Sequence, residues 1–272
     1  MEKWIMPKEE GINKSEYGNK AHGLNKLSFN GFNVPPCIFI SSKFLWKIII
    51  KKNEDSYLYL IAKYNDFNKM TAIKEWIQDL EKDEEIINLV DNILNKLKSP
   101  LAIRSSADIE DGTEQSFAGL FKTYTNLIDS KTIVEAIYSV FASQFCHAII
   151  DNDINMGVII QEYIDADIKG VAFSNNPLTG DEEIYIEYTN IKEDSIVDGD
   201  AVKTLIYKNE MFISKTDDEN IIPVIILTEL CENINKIERV FGYPVDVEWL
   251  IKDNTIYIVQ ARPISTVLKK HP

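Results

Sequence analysis

The apolar residues of this chain change period about halfway along, and that change constrains the fold more than any other feature. Over 56–98, Ile73, Trp76, Ile77 and Leu80 recur at spacings of three and four, and so do Ile86, Leu89, Val90, Ile93, Leu94 and Leu97. That is the repeat of packing helices with one buried face. It returns over 131–150, where Ile133, Val134, Ile137, Val140, Phe141 and Phe145 share a face behind the capping candidates Asp129 and Ser130. From about 156 the pattern becomes that of strands, over 158–163, 170–174 and 184–188. Segments 202–207 and 211–214 read as a hairpin around Lys208-Asn209-Glu210. A helix is predicted over 227–241, followed by strands over 245–251 and 255–260 joined by an Asp253-Asn254 turn. Strands at 37–40, after Val34-Pro35-Pro36, and at 100–103 complete an α+β pattern. The expected boundary lies near 150–158, giving a lobe over 1–155 and a second over 156–272.

The chain has 272 residues, 45% of them hydrophobic, enough to bury a large core without disulfides. Cys37, Cys146 and Cys231 are odd in number and far apart, with no CxxC pair, so neither a disulfide framework nor a zinc site is expected. A reducing, cytoplasmic location follows as an expectation. Met1-Glu2-Lys3-Trp4 lacks the pattern of a signal peptide, and no apolar run approaches the ~18 residues of a membrane helix, so no membrane association is expected. The net charge of -14 repels nucleic acid, which is excluded as a general partner. It repels any polyphosphate, so such a ligand needs its own cluster of Lys and Arg together with a metal.

Few basic residues stand in suggestive places. Arg104 ends the strand predicted at 100–103, beside Ser105 and Ser106 and ahead of Asp108, Glu110 and Asp111. A guanidinium fork there suits a phosphate clamp, or pairs with the local carboxylates on the surface. Ser116, Phe117, Ala118 and Gly119 form a small loop whose N–H groups suit phosphates, or an ordinary turn plugged by Phe117. Gly18-Asn19-Lys20 reads as a flexible loop presenting an ammonium, without the Gly-rich pattern of a P-loop. Asp246 and Glu248 share one face of a strand, as do Gln260 and Arg262 on the next. If these strands pair, Glu248 and Gln260 point into one cleft as hard oxygen ligands for Mg2+, with Arg262 suited to a phosphate. The alternative, polar residues on a solvent face, fits Asp246 better than Glu248.

Taken together these segments resemble the ATP-binding domain shared by phosphoenolpyruvate synthase, pyruvate phosphate dikinase and rifampin phosphotransferase. The resemblance rests on six ordered stretches: Gly18-Asn-Lys-Ala-His-Gly-Leu24, Val34-Pro-Pro36, Leu101-Ala-Ile-Arg-Ser-Ser-Ala-Asp-Ile-Glu-Asp111 with Ser116-Phe-Ala-Gly119, Gly170-Val-Ala-Phe-Ser174 with Pro177, Phe241-Gly-Tyr-Pro-Val-Asp-Val-Glu-Trp249, and Gln260-Ala-Arg-Pro-Ile264. It implies an ATP-grasp-like fold with ATP held between two lobes. By resemblance, Lys20 and Arg104 contact phosphates and Ser116, Phe117, Ala118 and Gly119 cover them. Gln161, Glu162 and Tyr163 match the strand that meets adenine. Glu248 and Gln260 match the metal-binding pair, with Asp246 a further acidic position near the metal, and Arg262 matches the terminal-phosphate arginine. The family's glycine-rich stretch before its V-x-G is replaced here by 190–199, glycine-free before Gly199, where either Glu193 or Asp194 supplies the ribose-contacting carboxylate. The Gly-Gly-Lys start is Gly-Asn-Lys.

In that family phosphate passes from ATP to a histidine on a separate domain and then to an acceptor. His22, His147 and His271 all lack the family's Gly/Thr-rich phosphohistidine setting. The resemblance therefore implies an ATP-dependent phosphotransferase, with ATP and Mg2+ as cofactors. A partner protein or domain would carry the histidine and acceptor site, and ATP would become AMP. A stand-alone antibiotic-type phosphotransferase and a non-catalytic nucleotide-binding module are the competing readings.

Overall fold

The computed structural model describes residues 4–8, 11–63, 66–109, 121–146, 154–190, 202–215 and 221–264. They group into two compact units. The first takes the described residues up to Asn25, those from Pro36 to 109 and those from 121 to Tyr163. The second takes 26–35 and those from Ile164 onward.

The first unit contains β1 (Trp4–Ile5), α1 (Lys14–Phe29, whose last turn counts with the second unit), β2 (Cys37–Ile40), α2 (Ser42–Leu45), α3 (Glu54–Lys63), α4 (Asp66–Asp79), α5 (Glu84–Leu94), β3 (Leu101–Ala107), β4 (Thr123–Leu127), α6 (Ser130–Ala142) and β5 (Met156–Glu162). Ser41 caps α2 by accepting the Phe44 N–H. A π turn over Trp46–Ile50 and a 3-10 turn over Lys51–Asn53 lead into α3. The five strands form an antiparallel sheet in the order β1-β2-β5-β3-β4. Leu101, Ile103, Val158 and Ile160 fill its buried face together with Ile133, Ile137, Val140 and Phe141 of α6. Asp129 caps α6 as expected, accepting the Thr132 N–H at 2.9 Å.

Two local expectations need correction. The strand expected at 100–103 continues to Ala107, so Arg104 lies inside β3 rather than at its end. Ser105 and Ser106 are fully buried, which a strand tolerates because it pairs along its length with β5, Ala107 facing Met156. The segment around Lys20 is helix rather than loop. Gly18, at φ 82 and ψ 170, breaks α1 and lets it resume at once, so Lys20 lies in the first turn after the break.

The second unit contains β6 (Ile168–Phe173), β7 (Ile184–Asn190), β8 (Lys203–Lys208), β9 (Met211–Ser214), α7 (Val224–Phe241), β10 (Val245–Lys252) and β11 (Thr255–Pro263). Its antiparallel sheet runs β11-β10-β6-β7-β8-β9. Both hairpins turn where expected. Asn209 and Glu210, and Asp253 and Asn254, have positive φ of 49 to 61, the conformation of a two-residue turn that matches strand twist. One face is apolar: Val245, Val247, Trp249 and Ile251 of β10, with Ala172, Ile186, Tyr188 and Leu205 on neighbouring strands, are all buried. Leu227, Leu230, Cys231, Ile234 and Ile237 of α7 are buried as well, at the helical spacing that keeps one face inward. Gly170 is needed on that face, since a Cβ there would stand 2.4 Å from Trp249 Cζ2. Strand alternation sends Asp246, Glu248, Glu187 and Thr189 to the opposite face, together with Val171, Phe173 and Leu250.

Among the described residues, no helix is long and apolar enough to cross a membrane.

Candidate nucleotide and metal site

The polar face of the six-stranded sheet is set by register. Glu248 stands opposite Gln260 and Asp246 opposite Arg262 across β10 and β11. On the other side of β10, Glu248 faces Val171, which faces Glu187 on β7. Antiparallel partners share a face, so Asp246, Glu248, Gln260, Arg262 and Glu187 all project the same way. A bulge between Glu248 and Trp249 interrupts the ladder beside the Glu248–Gln260 pair, a place where bulges commonly re-aim a side chain. The face opens on a cleft of about 370 Å³ whose walls include Lys169, Val171, Glu187, Thr189, Glu248 and Leu250.

Asp246 is not on a solvent face: it is 7% exposed, and its Oδ2 accepts from Arg262 Nε at 2.8 Å. Burial raises its carboxyl above the ordinary aspartate value. Arg262 opposes that shift by charge and hydrogen bond, and the Glu248 charge adds to it. Among the described residues three buried side-chain polar atoms lack a hydrogen-bond partner, and two of them, Asp246 Oδ1 and Thr189 Oγ1, belong to this face. A protein rarely leaves buried oxygens unmet unless something outside the chain meets them.

The donor set also suits a hard cation. Asp246 and Glu248 are carboxylates and Gln260 offers an amide oxygen; all three are oxygen ligands, and Mg2+ keeps several waters while taking one or two carboxylates and substrate phosphates. The orphaned Asp246 Oδ1 and this oxygen-only set fit such an ion. Among the described residues no group of three or more His, Cys, Asp and Glu side chains forms a closed metal cage.

The first unit holds the other expected residues. Ala21 N–H donates to Ser106 Oγ at 3.0 Å, and Asn19 Nδ2 donates to the Asp108 carbonyl at 2.7 Å. These bonds tie the resumed turn of α1, with Lys20, to β3, with Arg104. The approach is close because residue 18 is glycine. A Cβ on Gly18 would lie 1.9 Å from the Ser106 carbonyl oxygen. His22 Nδ1 lies 3.2 Å from the Ile12 carbonyl, a local structural contact.

Arg104 is half-buried, and its Nη1 lies 3.4 Å from Gln161 Oε1. Gln161 is 2% exposed, and Cys37 stands opposite it on β2. Burial pushes the Cys37 thiol up to about 12, against the pull of Arg104, so it is no nucleophile. The Glu162 N–H donates to the Pro36 carbonyl and the Tyr163 N–H to the Pro100 carbonyl, both at 2.9 Å. The Glu162 carboxylate accepts the Lys98 N–H. The backbone N–H groups of Glu162 and Tyr163 are thus engaged within the first unit. Ser116, Phe117, Ala118, Gly119, Glu193 and Asp194 lie outside the described residues.

The structure adds residues that the sequence reading passed over. Glu187 accepts from Tyr185 Oη at 3.0 Å, and Lys169 and Thr189 line the same cleft. The signal for Glu187 and Thr189 was present in Ile184-Tyr-Ile-Glu-Tyr-Thr-Asn190, where they fall two apart, opposite in phase to buried Ile186 and Tyr188.

Comparison with known proteins bears on this arrangement. Residues 14–223 and 207–272 match the family described as pyruvate phosphate dikinase, AMP/ATP-binding domain. A probable phosphoenolpyruvate synthase of Methanothermobacter thermautotrophicus is 27% identical over 92% of this chain and 44% of its own length. A rifampicin phosphotransferase of Bacillus cereus is 27% identical over 92% of this chain and 34% of its own length. The chain thus spans less than half the length of these relatives. Among solved structures, D-alanine–D-alanine ligase from Bacillus anthracis aligns over 90% of this chain and 56% of that chain, at 12% identity and a TM-score of 0.46, a likeness too loose to bear on the site. The family match runs through the six motifs and through both units, and the chain belongs to the pyruvate phosphate dikinase AMP/ATP-binding domain family.

Proposed function

We propose that this chain is the Mg-ATP-binding part of a phosphoenolpyruvate synthase-like dikinase, with an ATP-grasp-like fold. Phosphate would pass from ATP to a histidine supplied by a separate domain or partner protein, leaving AMP. The observation that carries the reading is the β10–β11 register, which sets Glu248 against Gln260 and Asp246 against Arg262 on one polar face. In this reading Glu248 and Gln260, with Asp246 beside them, hold Mg2+. The ion supplies charge neutralisation at the phosphates. Arg262 binds the terminal phosphate and is oriented by Asp246. Lys20 and Arg104 bind phosphate oxygens, the first as a point charge and the second as a fork. Ser116, Phe117, Ala118 and Gly119 cover the phosphates, Gln161, Glu162 and Tyr163 meet the base, and Glu193 or Asp194 meets the ribose. Such a set works by positioning and by charge placed in advance around the transferring group. A cytoplasmic location fits ATP as the substrate.

Glu248→Gln keeps the shape and removes one charge. It should weaken metal-dependent ATP binding by about tenfold or more, on the scale of a charged interaction lost. Product analysis separates the dikinase reading from a self-sufficient kinase. With Mg-ATP, the chain by itself should release neither AMP nor ADP in repeated turnovers, and AMP should appear once a histidine-bearing partner is added. Steady ADP formation by the chain alone would contradict it.

A further inference from the structure

The first unit holds a second polar cavity, outside the site just described. Its volume is about 460 Å³, and its walls include Gln78, Lys82, Tyr124, Thr132, Glu135 and Ser139. Tyr124 stands opposite Ile103 and Thr123 opposite Arg104, so strand alternation turns this cavity to the sheet face away from Arg104.

Ser139, 9% exposed, is the centre of a donor-rich cluster. Its Oγ lies 2.7 Å from Tyr124 Oη, 3.1 Å from Gln78 Nε2 and 3.2 Å from Lys122 Nζ. Lys122 Nζ is also 3.2 Å from Tyr124 Oη. An ammonium carries three protons, an amide two and each hydroxyl one. Here they converge on two neutral hydroxyl oxygens. Among the described residues no carboxylate comes within ion-pair distance of Lys122, whose partners are those hydroxyls. Lys82, on the cavity wall, is likewise held by neutral groups: the carbonyls of Gln78 and Leu80, and the Tyr138 ring at 4.4 Å. Burial lowers its ammonium from the ordinary lysine value, against the charges of Glu135 and Asp79. Lys82 on the wall and Lys122, bonded to the wall residues Tyr124 and Ser139, thus have neutral hydrogen-bond partners, and the cluster holds more donor protons than acceptors.

We propose that this cavity binds a small oxyanion, a carboxylate or a phosphate monoester, received by the remaining protons of Lys122 Nζ and Tyr124 Oη, since Ser139 Oγ, accepting from Gln78 and Lys122, spends its one proton on Tyr124. Glu135 on the wall disfavours a second negative group and accepts from a ligand hydroxyl or ammonium. The test is calorimetric titration of the full chain with inorganic phosphate and, separately, with acetate. The same titrations are run on Lys122→Met and on Tyr124→Phe, which keeps the ring and removes one donor. One probe should bind saturably at one site, weakened about tenfold or more by Lys122→Met and several-fold by Tyr124→Phe, with unchanged circular dichroism. Binding of phosphate alone names phosphate monoesters as the class, and binding of acetate alone names carboxylates. Absence of saturable binding of both probes, or binding at wild-type affinity in both variants, overturns the proposal. So does a loss of stability in Lys122→Met when the wild type binds neither probe, which assigns the lysine a structural role.

Discussion

Arg262→Met should destabilise the chain by about 3 kcal/mol at neutral pH, the low end of what breaking a buried ion pair costs. The low end applies because the Arg262 side chain is 24% exposed while that of Asp246 is 9% exposed. The loss comes from what remains: a buried carboxylate whose Oδ2 has lost its Nε donor and whose Oδ1 has no partner among the described residues. Acidity should narrow the deficit. Burial already raises the Asp246 carboxyl in the folded chain, and removing Arg262 takes away the group that opposes the rise. The folded state then holds a proton that the unfolded state releases near the ordinary aspartate value of about 3.9. Stability is therefore lost as pH climbs from that value through the raised one, and regained on acidification. Urea unfolding of the variant at about pH 7 and about pH 4 reads this directly. Adding Asp246→Asn should recover much of the neutral-pH loss. Wild-type stability of Arg262→Met at neutral pH would contradict the ion pair as drawn.

Gly18→Ala should be comparably severe and should act on a different part of the molecule. At φ 82 and ψ 170, Gly18 occupies backbone space that other residues rarely enter, at a cost of about 1–3 kcal/mol. A Cβ would also meet the Ser106 carbonyl oxygen at 1.9 Å and its carbon at 2.3 Å, both backbone atoms that cannot rotate away. Together these predict a loss of roughly 3 kcal/mol or more, as α1 is pushed off β3 and the Ala21–Ser106 bond breaks. Gly31→Ala is the matched control. Its φ is 79, but a Cβ there meets nothing within 4 Å among the described residues, so only the conformational cost of about 1 kcal/mol remains. Equal denaturation midpoints for the two variants would show that the close approach at Gly18 does not matter.

The parts of the fold that were legible in the sequence are those where one face is buried and the turn chemistry is strong. The β10–β11 hairpin is the clearest case. Its alternation fixes which residues share a face, and Asp253-Asn254 supplies positive φ, so the pairing of Glu248 with Gln260 follows from the sequence pattern once the strands meet. β4 was not legible: Thr123-Tyr-Thr-Asn-Leu127 lies at a sheet edge, largely exposed, with no apolar alternation to announce it. The continuation of β3 through Ser105 and Ser106 was hidden because buried hydroxyls look like loop residues. Only the tertiary contact from Ala21 shows what satisfies Ser106. Glycines at 18 and 23 disguised α1 as a loop for the same reason, since the helix bends at Gly18 to meet β3. The burial of Asp246 was equally out of reach, because a carboxylate facing inward reads from sequence like one facing water until its arginine is seen beside it.

The most direct test is calorimetric titration of the pure chain with ATP, in the presence and absence of Mg2+. Saturable binding that strengthens with the metal, and that Glu248→Gln makes indifferent to it, is the predicted result. Failure to bind ATP under either condition, or binding equally strong without Mg2+, would contradict the assignment of the Asp246, Glu248 and Gln260 face to metal-bound nucleotide.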